Sequence, residues 1–285
     1  MKVIPSVLKE RKKDTHKGNF GHLFIIGGST GLTGAVCLSS ISALRSGCGL
    51  VTIGIPSCLN KIIEVKLTEV MSLPLPNDNG FISEKGIDVA YKFIKEKSDG
   101  VVIGPGISLN SGTKKFVMGL LPLIDKKLLI DADALKIISE NLSIFEKLKV
   151  KPVITPHPGE MKFLTGKEID EIQRNREKIA LKFAKENNVV VVLKGYRTIV
   201  SDGKEIYVNL TGNPGMATGG SGDVLSGIIG SFLVQGMDEF ESAKFGVFVH
   251  GLAGDFACKE KGEISLIPSD IVEKLPYTFK YLKEK

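Results

Sequence analysis

The sequence lacks the features that would indicate a zinc-bound, membrane-bound or secreted protein. Its four cysteines form no Cys-x-x-Cys pair and have no histidine at metal-ligand spacing, so a zinc site is not predicted. No apolar run approaches the length of a membrane span, and residues 1–17 are polar and basic without the apolar stretch of a signal peptide. We therefore expect a cytoplasmic chain with reduced thiols and no membrane partner.

A basic segment of the kind that binds nucleic acid is also missing. The formal net charge is +6, but Lys and Arg are interleaved with Asp and Glu, and no basic block alternates with aromatic residues. We expect no nucleic-acid partner, whereas a mild positive field suits an anionic nucleotide. With 42% hydrophobic and 25% charged residues, the 285-residue chain is long enough to bury one large core.

Short apolar runs alternate with longer amphipathic segments, a pattern that predicts an α/β fold with a mostly parallel sheet. The clearest predicted strands are at 23–26, 50–53, 101–103, 128–130, 153–154 and 189–193. The predicted helices are at 35–45, 84–96, 113–120, 171–186, 223–234, 239–258 and 269–282. A hairpin is predicted over 198–209, with its turn at Asp202 and Gly203. No repeat or flexible linker divides the sequence, so we expect a single domain over residues 1–285.

Glycine-bearing turns follow several of the predicted strands, at residues 27–29, 104–106 and 194–195. Ligands of open parallel sheets bind beyond the carboxyl ends of the strands, so these turns should lie along one edge. The first turn has neither the Gly-x-Gly-x-x-Gly pattern of a dinucleotide-binding fold nor the Lys-Ser/Thr ending of a P-loop. The small residues at 33–35 leave room for a bulky ligand, or they serve close packing of helix on strand.

The segment 211–230 gives the strongest indication of function. It places Gly219, Gly220 and Gly222 around the start of a predicted helix and Asp223 in its first turn. Free backbone N–H groups and the helix dipole at such a start attract an anion such as phosphate. Because a carboxylate repels phosphate, we interpret Asp223 as a base for a hydroxyl that attacks phosphorus. The alternative is that Asp223 is only a helix cap.

Two further motifs allow both a functional and a structural interpretation. Prolines flank His157 in a stiff turn after a predicted strand, so its imidazole either contacts a ligand or caps the following helix. Asp131 and Asp133 end another strand, where they orient the backbone or help to hold a hydrated magnesium ion, or form a cap and a turn.

Cationic residues and the remaining histidines give weaker signals. Lys194 and Arg197 lie around a glycine after a buried strand, a composition that suits contact with phosphate. His250 lies in an apolar helical run, and we interpret it as a core or interface residue.

In this order, these segments resemble the NAD(P)H-hydrate dehydratase family, a branch of the ribokinase-like superfamily. The resemblance covers nearly the whole chain and rests on the motifs at 17–21, 27–29, 33–35, 104–106, 131–135, 155–160, 194–195 and 211–230. It implies a ribokinase-like three-layer fold, with helices on both faces of a mostly parallel central sheet. The 213–223 stretch is similar to the bacterial and archaeal form, which implies ADP as the phosphoryl donor. Many members carry an epimerase domain that this sequence lacks, so we expect no repair of the other hydrate epimer.

The implied activity is that of a hydro-lyase in the repair of nicotinamide nucleotides. It would convert the S epimers of NADHX and NADPHX, the hydrated forms of NADH and NADPH, back to NADH and NADPH with release of AMP and phosphate. Asp223 would be the base, and the backbone N–H groups of Gly220, Ser221, Gly222 and Asp223 would stabilise the moving phosphoryl group. The residues implied for the hydrate are Ala35, Gly106, His157 and Asp223. The residues implied for ADP or AMP are Lys194, Gly195, Tyr196, Arg197, Thr198 and Gly222.

The resemblance also implies a homotetramer, and Mg²⁺ that is carried on the nucleotide phosphates without a protein ligand. Two other functions use the same loop. A ribokinase-like kinase of a small alcohol, such as a thiazole or pyridoxine kinase, would need the same base but does not explain the 155–160 and 211–216 motifs together. A non-catalytic sensor of adenine nucleotides would gain little from a carboxylate beside phosphate.

Overall fold

A nine-stranded sheet lies at the centre of the computed structural model, which describes residues 6–284. The strands of the chain are β1 (His22–Ile26), β2 (Leu50–Pro56), β3 (Met71–Leu75), β4 (Asn77–Asp78), β5 (Phe81–Ile82), β6 (Gly100–Ile103), β7 (Lys127–Ile130), β8 (Val153–Ile154), β9 (Val190–Leu193), β10 (Ile199–Ser201) and β11 (Ile206–Val208). The sheet order is β11-β10-β9-β8-β7-β6-β1-β2-β3, and β4 and β5 pair separately as a small hairpin.

Helices connect most of these strands. They are α1 (Thr33–Arg45), α2 (Asn60–Lys66), α3 (Ile87–Lys97), α4 (Ser111–Leu120), α5 (Asp133–Ser139), α6 (Ile144–Lys147), α7 (Pro158–Thr165), α8 (Ile169–Arg174), α9 (Arg176–Asn187), α10 (Ser221–Val234), α11 (Glu239–Lys261) and α12 (Pro268–Lys283). No helix among residues 6–284 is both long enough and apolar enough to cross a membrane.

The sheet is parallel from β9 across to β3, and only β10 and β11 run antiparallel to their neighbours. Every residue of β1, β6 and β9 is buried, as expected for parallel strands that are covered on both faces. Alternate residues of β1 belong to different cores: Phe24 packs in the cluster under α3, α4 and α9, and Leu23 packs in the cluster under α1 and α10. The predicted α/β fold class with helices on both faces is therefore confirmed.

All six predicted strands and the predicted hairpin are present, but some neighbouring elements differ from the prediction. The helix predicted over 171–186 is two helices, α8 and α9, because Asn175 has non-helical backbone angles (φ −127°, ψ 31°) between them. The helix predicted from residue 84 begins as a 3₁₀ turn, and α3 itself starts at Ile87. Strand β3, which contains Pro74, was not predicted; it is an edge strand, where a missing N–H is tolerated.

Candidate active site

The turns after the central strands lie next to one another at the carboxyl edge of the sheet. The Ser29 hydroxyl, in the turn after β1, donates to the Gly106 carbonyl after β6 at 2.9 Å. The Lys194 N–H, after β9, donates to the Pro156 carbonyl after β8 at 2.9 Å. The predicted gathering of these glycine-bearing turns along one edge is confirmed.

Ala35 and Gly106 meet where the β1–α1 and β6–α4 connections touch. Gly106 has φ +62°, and a Cβ there would lie 3.0 Å from the Ala35 Cβ and 2.6 Å from the Leu32 carbonyl oxygen. A side chain at position 106 would therefore be strained in its backbone and would collide with the start of α1. The small residues at 35 and 106 let the two turns form one wall.

The start of α10 depends on a glycine. Gly220 is the N-cap residue with a left-handed backbone, and a Cβ there would lie 2.7 Å from Leu38 Cδ1 and 3.0 Å from Pro268 Cγ. The Ser221 N–H already donates to the Thr218 carbonyl at 3.3 Å. Of the N–H groups that the sequence predicts for an anion, that of Ser221 is thus already engaged. Those of Gly222 and Asp223 lie in the first turn, where no intrahelical partner is available to them.

Asp223 lies in the first turn of α10, mostly buried but not sealed. Its pKa is raised from 3.8 to about 7, first by burial and then by the negative charge of Asp131, against the lowering effect of Lys194. Asp133 and Glu160 raise it further. A carboxyl group that titrates near neutrality can both accept and return a proton.

Asp131 is fully enclosed beneath this turn. Its carboxylate accepts hydrogen bonds from Thr155 Oγ1 at 2.6 Å, from Lys194 Nζ at 3.0 Å, and from the Ser226 hydroxyl. Burial would raise the pKa of Asp131, but the Lys194 ammonium and these hydroxyls outweigh burial and lower it. Asp131 is therefore ionised and forms a buried ion pair with Lys194, and its carboxylate makes no capping hydrogen bond at the start of α5.

Asp133 has a different position from Asp131. It begins α5 and accepts the Ser108 N–H at 3.1 Å, with the Lys136 ammonium 3.4 Å away. Ala132 is the N-cap of α5 and no side chain caps this helix, so the predicted cap at Asp131 and Asp133 is absent. The Asp133 carboxylate instead holds the turn after β6 through the Ser108 N–H. Within residues 6–284, no group of three or more His, Cys, Asp or Glu side chains is placed to hold a metal ion.

The segment 194–198, predicted to bind the nucleotide, has one side chain turned into the site and others exposed to solvent. Lys194 points inward: its side chain is 19% exposed, and its ammonium also lies 3.8 Å from Glu160. A Cβ on Gly222 would lie 3.2 Å from the Lys194 Nζ, so this cation contacts the start of α10. Tyr196 is 87% exposed on the following turn, where the Thr198 hydroxyl donates to the Gly195 carbonyl at 3.0 Å.

Arg176 holds the backbone of this turn, and no sequence motif predicts that contact. One of its Nη atoms donates to the Leu193 carbonyl at 2.8 Å and to the Lys194 carbonyl at 3.2 Å. The residue lies in a charged amphipathic helix and outside every recognised motif, so its sequence carries no signal of this contact.

His157 is the N-cap of α7. Its Nδ1 accepts the Glu160 N–H at 3.1 Å, and the Glu160 carboxylate accepts the His157 N–H at 2.8 Å. The capping interpretation is confirmed, and it leaves the proton of the neutral ring on Nε2, which lies 3.4 Å from the Glu160 carboxylate. Burial, followed by the nearby Lys194 and Lys136, lowers the His157 pKa. Since the side chain is 51% exposed, contact with a ligand stays a prediction.

Glu160 belongs to the same cluster. Burial raises the pKa of Glu160 to about 7, against the opposing charge of Lys194. Two carboxyl groups that titrate near neutrality, Glu160 and Asp223, therefore flank one ammonium. This concentration of perturbed groups at a sheet edge is typical of an active site.

His250 is the second residue that the sequence did not assign to the site. Its Nε2 lies 3.4 Å from the Ser221 hydroxyl, at the start of α10. Burial lowers the pKa of His250 to about 4, so the ring is neutral at physiological pH. The core or interface interpretation is thus incomplete, because the residue touches the loop that carries Asp223.

Comparison with known proteins identifies the family of this chain. The profile of the family described as NAD(P)H-hydrate dehydratase matches residues 23–277. The bifunctional NAD(P)H-hydrate repair enzyme of Moorella thermoacetica is 40% identical over 98% of this chain, which spans 53% of that relative. The chain thus spans about half the length of the first curated relatives it matches.

Two further proteins match along most of their own length. The ADP-dependent (S)-NAD(P)H-hydrate dehydratase of Neisseria meningitidis serogroup B is 38% identical over 91% of this chain and 84% of the relative. The crystal structure of the ADP/ATP-dependent NAD(P)H-hydrate dehydratase of Bacillus subtilis, co-crystallised with ATP and Mg²⁺, superposes with a TM-score of 0.84 at 28% identity and covers 96% of this chain and 94% of that one. With a ribokinase-like fold and a profile match over most of its length, the chain belongs to the NAD(P)H-hydrate dehydratase family.

Proposed function

We propose that this protein is an ADP-dependent (S)-NAD(P)H-hydrate dehydratase, a single domain that restores NADH and NADPH from their hydrates and releases AMP and phosphate. The observation that carries the proposal is Asp223, a carboxyl group with a pKa of about 7 in the first turn of a helix. Family membership supplies the substrate class. Cytoplasmic location and a homotetramer are parts of the same proposal, and light scattering of the purified protein tests the second.

The first chemical step is phosphorylation of the hydrate. Asp223 takes the proton of the ring hydroxyl, whose oxygen attacks the terminal phosphorus of ADP, and the bond from that phosphorus to the AMP oxygen breaks. The N–H groups of Gly222 and Asp223, with the Lys194 ammonium, stabilise charge on the moving phosphoryl group. Hydroxide, a poor leaving group, is thereby converted into phosphate, a good one.

The second step is elimination. The electron pair of the ring nitrogen expels the phosphate, which takes back the proton held by Asp223. The neighbouring ring carbon then loses a proton to the same phosphate, which leaves as dihydrogen phosphate, and the reduced nicotinamide is restored. The near-neutral pKa of Asp223 suits this exchange, because the group must release in the second step the proton that it gained in the first.

The placement of the two ligands is part of this proposal, and the geometry of the sheet edge supports it. The hydrate would lie against the wall formed by Ala35 and Gly106, with the Nε2–H of His157 as a donor and Asp223 at its hydroxyl. The adenine nucleotide would lie against the turn at 194–198 and Gly222. Because Asp131 is engaged by Lys194 and two hydroxyls, we place Mg²⁺ on the ADP phosphates, where it would neutralise charge during transfer.

The deciding experiment mixes the purified protein with the hydrate, Mg²⁺ and either ADP or ATP, and follows the return of reduced-nicotinamide absorbance. We expect ADP to support recovery and ATP to do so less well, because the 213–223 stretch is similar to the ADP-using branch. A clear preference for ATP would contradict the donor assignment. A lasting phosphate ester of a small alcohol, with the hydrate untouched, would favour a vitamin kinase, and nucleotide binding without any turnover would favour a sensor.

A further inference from the structure

Asp131 connects four parts of the site through one buried carboxylate. The residue ends β7, and it accepts hydrogen bonds from Thr155 after β8, from Lys194 after β9 and from Ser226 within α10. Only 1% of the Asp131 surface is exposed, so a ligand has no access to the carboxylate itself. Any influence of Asp131 on the reaction must therefore pass through its partners.

The partner that reaches the ligand side is Lys194. Its ammonium is held 3.0 Å from Asp131 and packs against the backbone of Gly222, beside the N–H groups that begin α10. A lysine side chain has four rotatable bonds and is mobile unless a partner holds it. Glu160, at 3.8 Å, and Asp223 also face this ammonium, and Asp131 is the closest of the three carboxyl groups.

We propose that Asp131 is a positioning residue for phosphoryl transfer: it fixes the Lys194 ammonium against the start of α10, at the place where the transferred phosphate would lie. This inference rests on the proposed function. A buried ion pair often contributes little net stability, because removing both charges from water is costly. The positioning role gives the Asp131–Lys194 pair a function other than stabilising the core.

Asp131→Asn tests this role, because asparagine keeps the size of the side chain and removes its charge. The ammonium then loses its closest anion, and we expect the KM for ADP to rise about tenfold through the weakened contact of Lys194 with phosphate.

The pH profile of kcat gives a second readout that packing alone would not move. Asp223 is faced by Asp131, Asp133, Glu160 and Lys194. Removing the Asp131 charge takes away a like charge and frees the Lys194 cation, and both changes lower the Asp223 pKa. The acid limb of the profile should therefore move to lower pH by roughly one pH unit.

Asp238→Asn is the matched control. Asp238 is an exposed carboxylate that caps α11, and asparagine caps a helix about as well. Its pH profile and KM should equal those of the wild type. A folded Asp131→Asn protein in which either the acid limb or the KM for ADP is unchanged would overturn the proposal.

A further variant covers the case in which Asp131→Asn does not fold. Thr155→Val keeps the charge and the shape but removes the hydroxyl that donates to the same Asp131 oxygen as Lys194. We expect a KM for ADP raised at least about threefold, and an unchanged KM would reject the positioning role. If the wild type gives no turnover, the proposed function fails. The positioning role is then judged by calorimetric affinity for MgADP, which should still fall in Asp131→Asn and not in Asp238→Asn, and equal affinities would reject it.

Discussion

Gly220 is the N-cap of α10 and no side chain caps this helix, so the cap interpretation of Asp223 is wrong. Asp223→Asn tests the remaining interpretation, that this carboxylate is the base. Asparagine keeps the size but cannot act as a base, so we expect turnover to fall by about two to four orders of magnitude. Nucleotide affinity should persist or increase, because a negative charge beside the phosphates is gone. Steady-state kinetics and calorimetry with ADP on one folded preparation measure both quantities. Retention of more than about a tenth of the wild-type turnover would show that Asp223 is not the general base.

His157→Asn tests the ligand role of the imidazole without disturbing the cap that the structure shows. Asparagine is a good N-cap, so α7 should keep its stability, whereas the Nε2–H donor is lost. We expect weaker hydrate binding, by on the order of 1 kcal/mol, and unchanged ADP binding. His157→Ala is the comparison, because it loses both the donor and the cap. Equal hydrate affinities for His157→Asn and the wild type would reduce His157 to a capping residue.

The residues that sequence analysis could find are those whose type and local setting are themselves informative. Asp223 stands out because a carboxylate follows a glycine-rich loop. Asp131 pairs with Lys194 across 63 residues and with Ser226 across 95, and these contacts follow from strand order rather than from local pattern. Sequence alone therefore suggests a phosphate-contacting lysine but not the buried anion that holds it. The contact of His250 with Ser221, 29 residues away, likewise follows from the packing of α11 on α10 and has no local sequence signal.

The entry into α10 depends on backbone conformation, which Gly220→Ala tests. Alanine at φ +99° is strained by about 1–2 kcal/mol, and its Cβ would meet Leu38 and Pro268. We expect a lower free energy of unfolding, and reduced turnover because the Gly222 and Asp223 N–H groups shift. Gly219→Ala is the stability control, since no atom lies within 4 Å of a Cβ there. Equal denaturation midpoints for the two variants would show that the left-handed cap carries no strain.

A continuous apolar or clearly amphipathic pattern predicts a strand or helix correctly in this chain, whereas a mixed hydrophobic pattern does not. The buried strands β1, β6 and β9 read as continuous apolar runs, which is why their positions were right. Strand β3 contains a proline and is only partly buried, so nothing in its composition separates it from a loop. The break between α8 and α9 falls inside one amphipathic stretch, where a single asparagine changes the backbone direction.

For the whole molecule, the raised pKa values of Asp223 and Glu160 imply a cost in stability that depends on pH. Each group titrates near 7 in the folded protein and at its ordinary value of 3.8 or 4.5 when unfolded. The folded state therefore binds more protons between these values, and this contribution makes folding less favourable as pH rises toward 7. Burying these two carboxyl groups in the site therefore lowers the free energy of unfolding at neutral pH.

Asp223→Asn should remove one of these two contributions, and the comparison is best made at two pH values. The quantity to compare is the free energy of unfolding of Asp223→Asn minus that of the wild type. We expect this difference to be larger at pH 8 than at pH 5 by on the order of 2 kcal/mol, because only the wild type must ionise the buried Asp223 carboxyl group over that range. Urea unfolding at one protein concentration measures the difference, with Asp238→Asn as a control that loses an exposed carboxylate. A pH-independent difference would mean that Asp223 titrates at its ordinary value in the folded protein, and the general-base mechanism would then lose the near-neutral proton acceptor on which both of its steps depend.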